Sequence, residues 1–192
     1  MIKQSIAVRI TIDGDDFSVF QGLFAYGFRV NIEAGATLFD ILCHQIGISE
    51  TYINDRVQTV FLNGKAVDDP AGEIVTDNDV IALSAAMPGL AGAVFRKGGM
   101  LSSMRSSHEV LSPDVSVTKQ QGVVTLKLFN LIASDLGADF LNNGIFVKRD
   151  HLIQYLNWKE SQLTSVCRKL TIDGENHEMV DKHLASFSLK HP

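Results

Sequence analysis

Apolar and polar residues alternate along Ile6–Ile12 (IAVRITI) and again along Phe28–Ile32 (FRVNI), the period of strands with one buried face. These two runs predict an opening hairpin. The period then changes: Leu38, Phe39, Leu42 and Ile46 recur at helical spacing, Thr37 stands where an N-cap is wanted with Asp40 three residues on, and Gly47 supplies a C-terminal stop. A helix from Leu38 to about Ile46 is expected. Val57–Leu62 and Lys65–Val67 flank Asn63-Gly64, a pair that tolerates the positive φ a type I′ turn demands at both central positions. They should pair. After an acidic loop and the Asn78-Asp79 step, Val80–Ala86 reads as a final strand. The order is ββαββ, with Val8, Ile10, Val30, Leu38, Leu42, Val60, Leu62 and Ile81 as the expected core.

The long connection Asp13–Tyr26 carries Phe17, Phe20, Leu23 and Phe24. Large apolar residues in a connection are more often buried than functional, so a short helix or strand folded back over the sheet is favoured over a partner-binding flap.

Downstream, Leu128, Ile132, Leu136 and Phe140 lie four apart and predict a helix over Val123–Asn142, with Asn143-Gly144 ending it and Gly137 as an awkward interior residue. Ile145–Lys148 reads as a short strand. Asp150 can cap a helix from His151 to about Glu160, Leu163–Ile172 reads as a strand, Asp173-Gly174 as a turn, and Glu178–Ser186 as a last helix.

The stretch Val57–Pro88, with its Asn-Gly hairpin, loop, Asn78-Asp79-Val80 step and last apolar strand, resembles the second half of the ubiquitin-like β-grasp domains of the small sulfur-carrier proteins of molybdopterin and thiamin biosynthesis. The resemblance covers the N-terminal half of the chain. It implies an α+β fold, a mixed sheet with one packed helix over residues 1–93. A small α+β domain of unrecognised family is expected over 119–192. In the carrier family the chain ends at a second glycine, whose carboxylate a partner enzyme adenylates and converts to a thiocarboxylate. Here Gly98-Gly99 is internal, so the carrier reading requires cleavage after Gly99.

Residues 94–118 are rich in Gly and Ser, include Arg96, Lys97 and Arg105, and read as a basic linker. Arg96 and Lys97, with the backbone of GLAGAVFRKGG, are also a candidate anion contact. Neither the Walker spacing nor GxGxxG is present, and a hinge explains the segment more simply.

At 192 residues, 45% hydrophobic and 20% charged, the chain has an ordinary globular composition. It contains no apolar run of membrane-spanning length and no signal peptide at MIKQSIAVRITIDGDD, so a cytoplasmic protein is expected, with no membrane association. The two cysteines, Cys43 and Cys167, fit a reducing compartment, with Cys43 expected in the core. Charge is uneven: residues 1–93 carry five Lys/Arg against twelve Asp/Glu. That surface repels phosphate backbones, which argues against nucleic acid, and it would attract a basic protein partner. A homodimer through an open sheet edge is a further possibility.

Catalytic patterns are thin. His177-Glu178 with His183 lacks the HExxH spacing, Cys43 and His44 would diverge by about 100° on a helix, and Asp15-Asp16 and Asp68-Asp69 sit in turn-like surroundings. No catalytic residue, metal or cofactor is assigned. The favoured reading is a non-catalytic β-grasp interaction or binding module fused to a second domain. The alternatives are a carrier processed at Gly99 and a small-molecule enzyme with an interdomain site near Arg96, Lys97 and His151.

Overall fold

The computed structural model describes residues 5–12, 18–101, 119–172 and 175–178. The fold is α+β with mixed strand pairing. The chain forms two compact units, one drawn from the spans Met1–Phe28 and Ser134–Pro192 and the other from Arg29–Ala133. This division cuts across the expected order of 1–93, linker and 119–192.

The Arg29–Ala133 unit is built around strands β2 (Phe28–Ala34), β3 (Thr59–Leu62), β4 (Lys65–Val67), β5 (Val80–Ser84) and β6 (Gln120–Phe129), ordered β4-β3-β5-β6-β2. β3 runs antiparallel to β4 and β5, whereas β5 and β6 are parallel, in register from Val80↔Thr125 to Ser84↔Phe129. The hairpin turn takes the expected form, with Asn63 at φ 52° and Gly64 at φ 79°. Helix α2 starts at Leu38–Asp40, where the Thr37 hydroxyl accepts from Asp40 N at 3.1 Å. Its continuation Ile41–Gln45 is wider than an α-helix: Ile46 N bonds to Ile41 O, five residues back, and Gly47 at φ 89° follows. A short α3 (Glu50–Asp55) is capped by Ser49, whose hydroxyl accepts from Tyr52 N at 3.2 Å. The expected core members Leu38, Leu42, Val60, Leu62 and Ile81 are buried, while Val30 is half-buried.

The other unit holds β1 (Ser5–Ile12), α1 (Gln21–Tyr26, led in by a tight turn at Ser18–Phe20), β7 (Ile145–Lys148), α6 (Arg149–Val166), β8 (Cys167–Ile172) and β9 (Glu175–Glu178). Its strands run β7-β1-β8-β9, all antiparallel. The expected opening hairpin is therefore not formed: β1 pairs with β7 from Ser5↔Lys148 and with β8 from Val8↔Ile172, not with Phe28–Ile32. Alternation shows that a strand exists and is silent about its neighbours. The side chains of Val8 and Ile10 lie outside the described residues. The connection behaves as the burial argument expects, since Phe20, Leu23 and Phe24 are almost fully buried.

Three further expectations are corrected. The proposed helix Val123–Asn142 is two elements, strand β6 and helix α5 (Asn130–Asn143). Val124, Leu126 and Leu128 are buried and alternate with half-buried neighbours, a period-two pattern that the four-residue spacing from Leu128 onward obscured. Gly137 is accepted in α5 because a Cβ there would stand 2.5 Å from the ring of Phe24. The helix expected to end near Glu160 runs on to Val166, so the following strand begins at Cys167 and not at Leu163, and Asp150 lies inside the first turn instead of capping it. Glu178 ends a strand, and the rest of the expected last helix lies outside the described residues, as do Asp173-Gly174.

Candidate functional site

Three clusters of polar or reactive side chains stand out, and the first is structural. At the end of the β3–β4 hairpin, Asn63 Nδ2 donates to Asp79 Oδ1 at 2.7 Å, and Asp79 Oδ2 accepts from Thr76 N at 2.7 Å. Val80 N donates to Asn63 Oδ1 at 2.8 Å. Asn78, at φ 68°, accepts from Arg29 at 3.1 Å and donates to Asp77 Oδ2, while Asp77 Oδ1 accepts from Val123 N at 2.8 Å. Each carboxylate oxygen of Asp77 and Asp79 accepts from a backbone or side-chain donor, which locks the step into β5 and the entry of β6. A knot with its acceptors already engaged offers little to a substrate.

The second cluster follows β5. Helix α4 (Gly89–Phe95) leads into the Gly98-Gly99 pair, so the stretch expected as a linker begins inside this unit. Phe95 packs on Phe61 with ring centroids 5.5 Å apart. Lys97 is committed twice: its amide donates to Gln58 O at 2.7 Å and its ammonium to Ile53 O at 3.1 Å. Half-burial holds the Lys97 ammonium below the usual lysine range. Gly98 N donates to Asp68 Oδ1 at 2.8 Å, and Gly99 N to Arg96 O at 3.0 Å. The di-glycine is thus folded back on the domain, and of the two expected anion contacts Lys97 points at a backbone carbonyl while Arg96 is exposed. Neighbouring Asp69 caps its own turn, accepting from Ala71 N at 3.0 Å.

The third cluster, in the other unit, was not anticipated. Tyr155 is fully buried and its hydroxyl has no hydrogen-bond partner among the described residues. Burial, and secondarily Tyr26, pushes its phenol far above the ordinary tyrosine range. Trp158 stands edge-on to it at 6.4 Å with Lys159 over the indole face, and Tyr26 lies against His151 at 5.1 Å. The helical pattern of the sequence already places Tyr155 inward with Leu152 and Leu156, and all three are buried; what the sequence does not signal is that the Tyr155 hydroxyl goes without a partner among the described residues.

Cys43 is half-buried rather than in the core, and its thiol is pushed up by burial first and by Glu50 and Asp40 after it. Its neighbour His44 turns instead to Asp40, 3.8 Å away, and to the Phe39 ring. His177 lies in β9 opposite Leu170; His183 lies outside the described residues. Among the described residues no three His, Cys, Asp or Glu converge as a metal site, and no helix is long and apolar enough to cross a membrane.

No family model, curated protein or solved structure matches the chain.

Proposed function

We propose that the Arg29–Ala133 unit is a β-grasp-like protein-interaction module without chemistry of its own, carried in one chain with a second α+β unit. Support for the fold reading comes from the mixed order β4-β3-β5-β6-β2, the Asn-Gly hairpin and the capped helix α2. It departs from a simple ββαββ chain in two respects: β1 pairs with β7 and β8 rather than with β2, and β6, from beyond the Gly/Ser-rich stretch, takes the place beside the final strand β5.

The observation that carries the interaction reading is α4. Its sequence GLAGAVF is apolar throughout, yet none of its residues is buried, Leu90 is 69% exposed, and Met100 just beyond is 98% exposed. Apolar surface clustered in one segment is the usual mark of a docking site. The carrier reading is less well supported, because Gly98 and Gly99 are hydrogen-bonded into the fold and a carrier needs a projecting terminus.

A photo-crosslinking residue placed at Leu90 in the native host is expected to give one discrete protein adduct, with the same probe at exposed Thr51 giving none. Equal or absent adducts from both positions would sink the proposal. Intact mass measured on the same preparations separates the alternative, since a species ending at Gly99 would support the carrier.

A further inference from the structure

The residues that follow α4 are held to the domain in a way that reads as peptide recognition. Arg96 is extended, with φ −61° and ψ 130°, so Phe95 and Lys97 face one side and Arg96 the other. Both inward residues find specific partners, the Phe61 ring for Phe95 and the Ile53 carbonyl for the Lys97 ammonium. That carbonyl lies in the last turns of α3, where a cation is favoured by the exposed C=O groups and the helix dipole.

The backbone contacts are equally placed. Pairing between β3 and β4 runs from Leu62↔Lys65 to Val60↔Val67 and stops there. Just past that register, the Gln58 carbonyl accepts from Lys97 N and the Asp68 carboxylate from Gly98 N. The segment thus engages acceptors beyond the end of β4, much as an added strand would. The Gln58 and Ile53 carbonyls and the Asp68 carboxylate are all acceptors, and residues 29–93 around them carry three Lys/Arg against nine Asp/Glu. The site is built for a basic segment. The α4 residues Gly89–Val94 that precede it are exposed or half-buried, none of them fully buried.

We propose that Phe95–Gly98 is a detachable strap occupying, in cis, a docking site for an extended segment of another protein that carries an aromatic residue two positions before a lysine. The site consists of Phe61, the Ile53 and Gln58 carbonyls and the Asp68 carboxylate. It is distinct from the exposed face of α4 and does not depend on what covers Leu90. Partner and strap compete, so the apparent affinity is lowered by the fraction of molecules in which the strap is closed.

The test uses a fluorescein-labelled peptide of the chain's own sequence, VFRKGGML, and fluorescence anisotropy on the full chain. The doubly substituted Phe95→Ala, Lys97→Ala protein, with its strap weakened, should bind the peptide at least about tenfold more tightly than the unsubstituted protein. A peptide whose lysine is replaced by methionine should lose that binding. Equal affinity of the two proteins, or indifference to the peptide's lysine, overturns the proposal. Hydrogen exchange on the unsubstituted protein decides independently of whether the double variant folds. The Lys97 and Gly98 amides should exchange through a local opening, well before those of Val60–Leu62. Exchange of both sets only on global unfolding would show that the strap does not detach.

Discussion

The side-chain amide of Asn63 donates to the carboxylate of Asp79 at 2.7 Å, tying the turn of the β3–β4 hairpin to the step that launches β5. Asn63 has a second role, accepting from Val80 N, so a residue selected for its turn conformation also fixes strand order. Substituting Asp79→Ala strands the Thr76 amide and the Asn63 amide beside a carboxylate site that is 9% exposed. The expected loss is about 1–2 kcal/mol of unfolding free energy, since both hydrogen bonds are only part-buried and Asn63 and Thr76 remain open to water. Urea titration followed by circular dichroism measures it; a loss near zero would mean water replaces the carboxylate at no cost.

Tyr155 behaves oppositely. Its buried hydroxyl lacks a partner among the described residues, so Tyr155→Phe removes a desolvation penalty and should leave stability unchanged or raise it by about 1 kcal/mol. The linkage sign follows from the raised phenol. Above the ordinary value of 10.0 the unfolded chain loses the proton while the folded chain keeps it, so stability falls as pH rises past that point. Melting curves at pH 9, 10 and 11 should show a steeper decline for the unsubstituted protein than for Tyr155→Phe. Parallel declines would assign the alkaline loss to other groups.

At Gly137 two effects compete. Alanine gains about 1 kcal/mol of helix propensity, but its Cβ would meet Phe24 ring carbons at 2.5 and 2.9 Å. Overpacking of a fully buried ring costs about 1–3 kcal/mol, so Gly137→Ala should be net destabilising. Pairing it with Phe24→Leu should recover part of the loss in a double-mutant cycle, and strict additivity would remove the contact as the cause.

Cys43 should be a slow nucleophile. With its thiol raised by burial and by Glu50 and Asp40, the thiolate fraction at neutral pH is below that of a free cysteine. Alkylation by iodoacetamide, read at Cys43 by peptide mass spectrometry, is expected to lag the rate in the urea-unfolded chain, and Glu50→Gln should narrow the gap modestly. A native rate equal to the unfolded one would contradict the burial.

Local features were legible because their causes are local. Asn63-Gly64, Thr37 as a cap and the Ile145–Lys148 strand appear as expected because positive φ, an orphan amide and strict alternation each involve only a few neighbouring residues. Val124–Leu128 was misread for a similar reason: Leu128 belongs to two periods at once, and the longer helical one absorbed the strand. The roles of Asp68, Ile53 and Gln58 in holding Lys97 and Gly98 were hidden, since two of the three act through backbone carbonyls that carry no sequence signal.

By itself the sequence determined the strands around Phe28–Ile32, Val60–Leu62 and Val80–Ser84, where the hairpin turns, and which residues such as Leu38, Val60 and Ile81 must leave water, but not the strand at Val124–Leu128. Only the tertiary structure decided partnership. It sent β1 to β7 and β8, set β6 parallel to β5, and folded Gly98-Gly99 back onto Asp68. The physical reason is that alternation and burial state a strand's need for neighbours without naming them, and long-range pairing is chosen by the competition among all strands for the same edges.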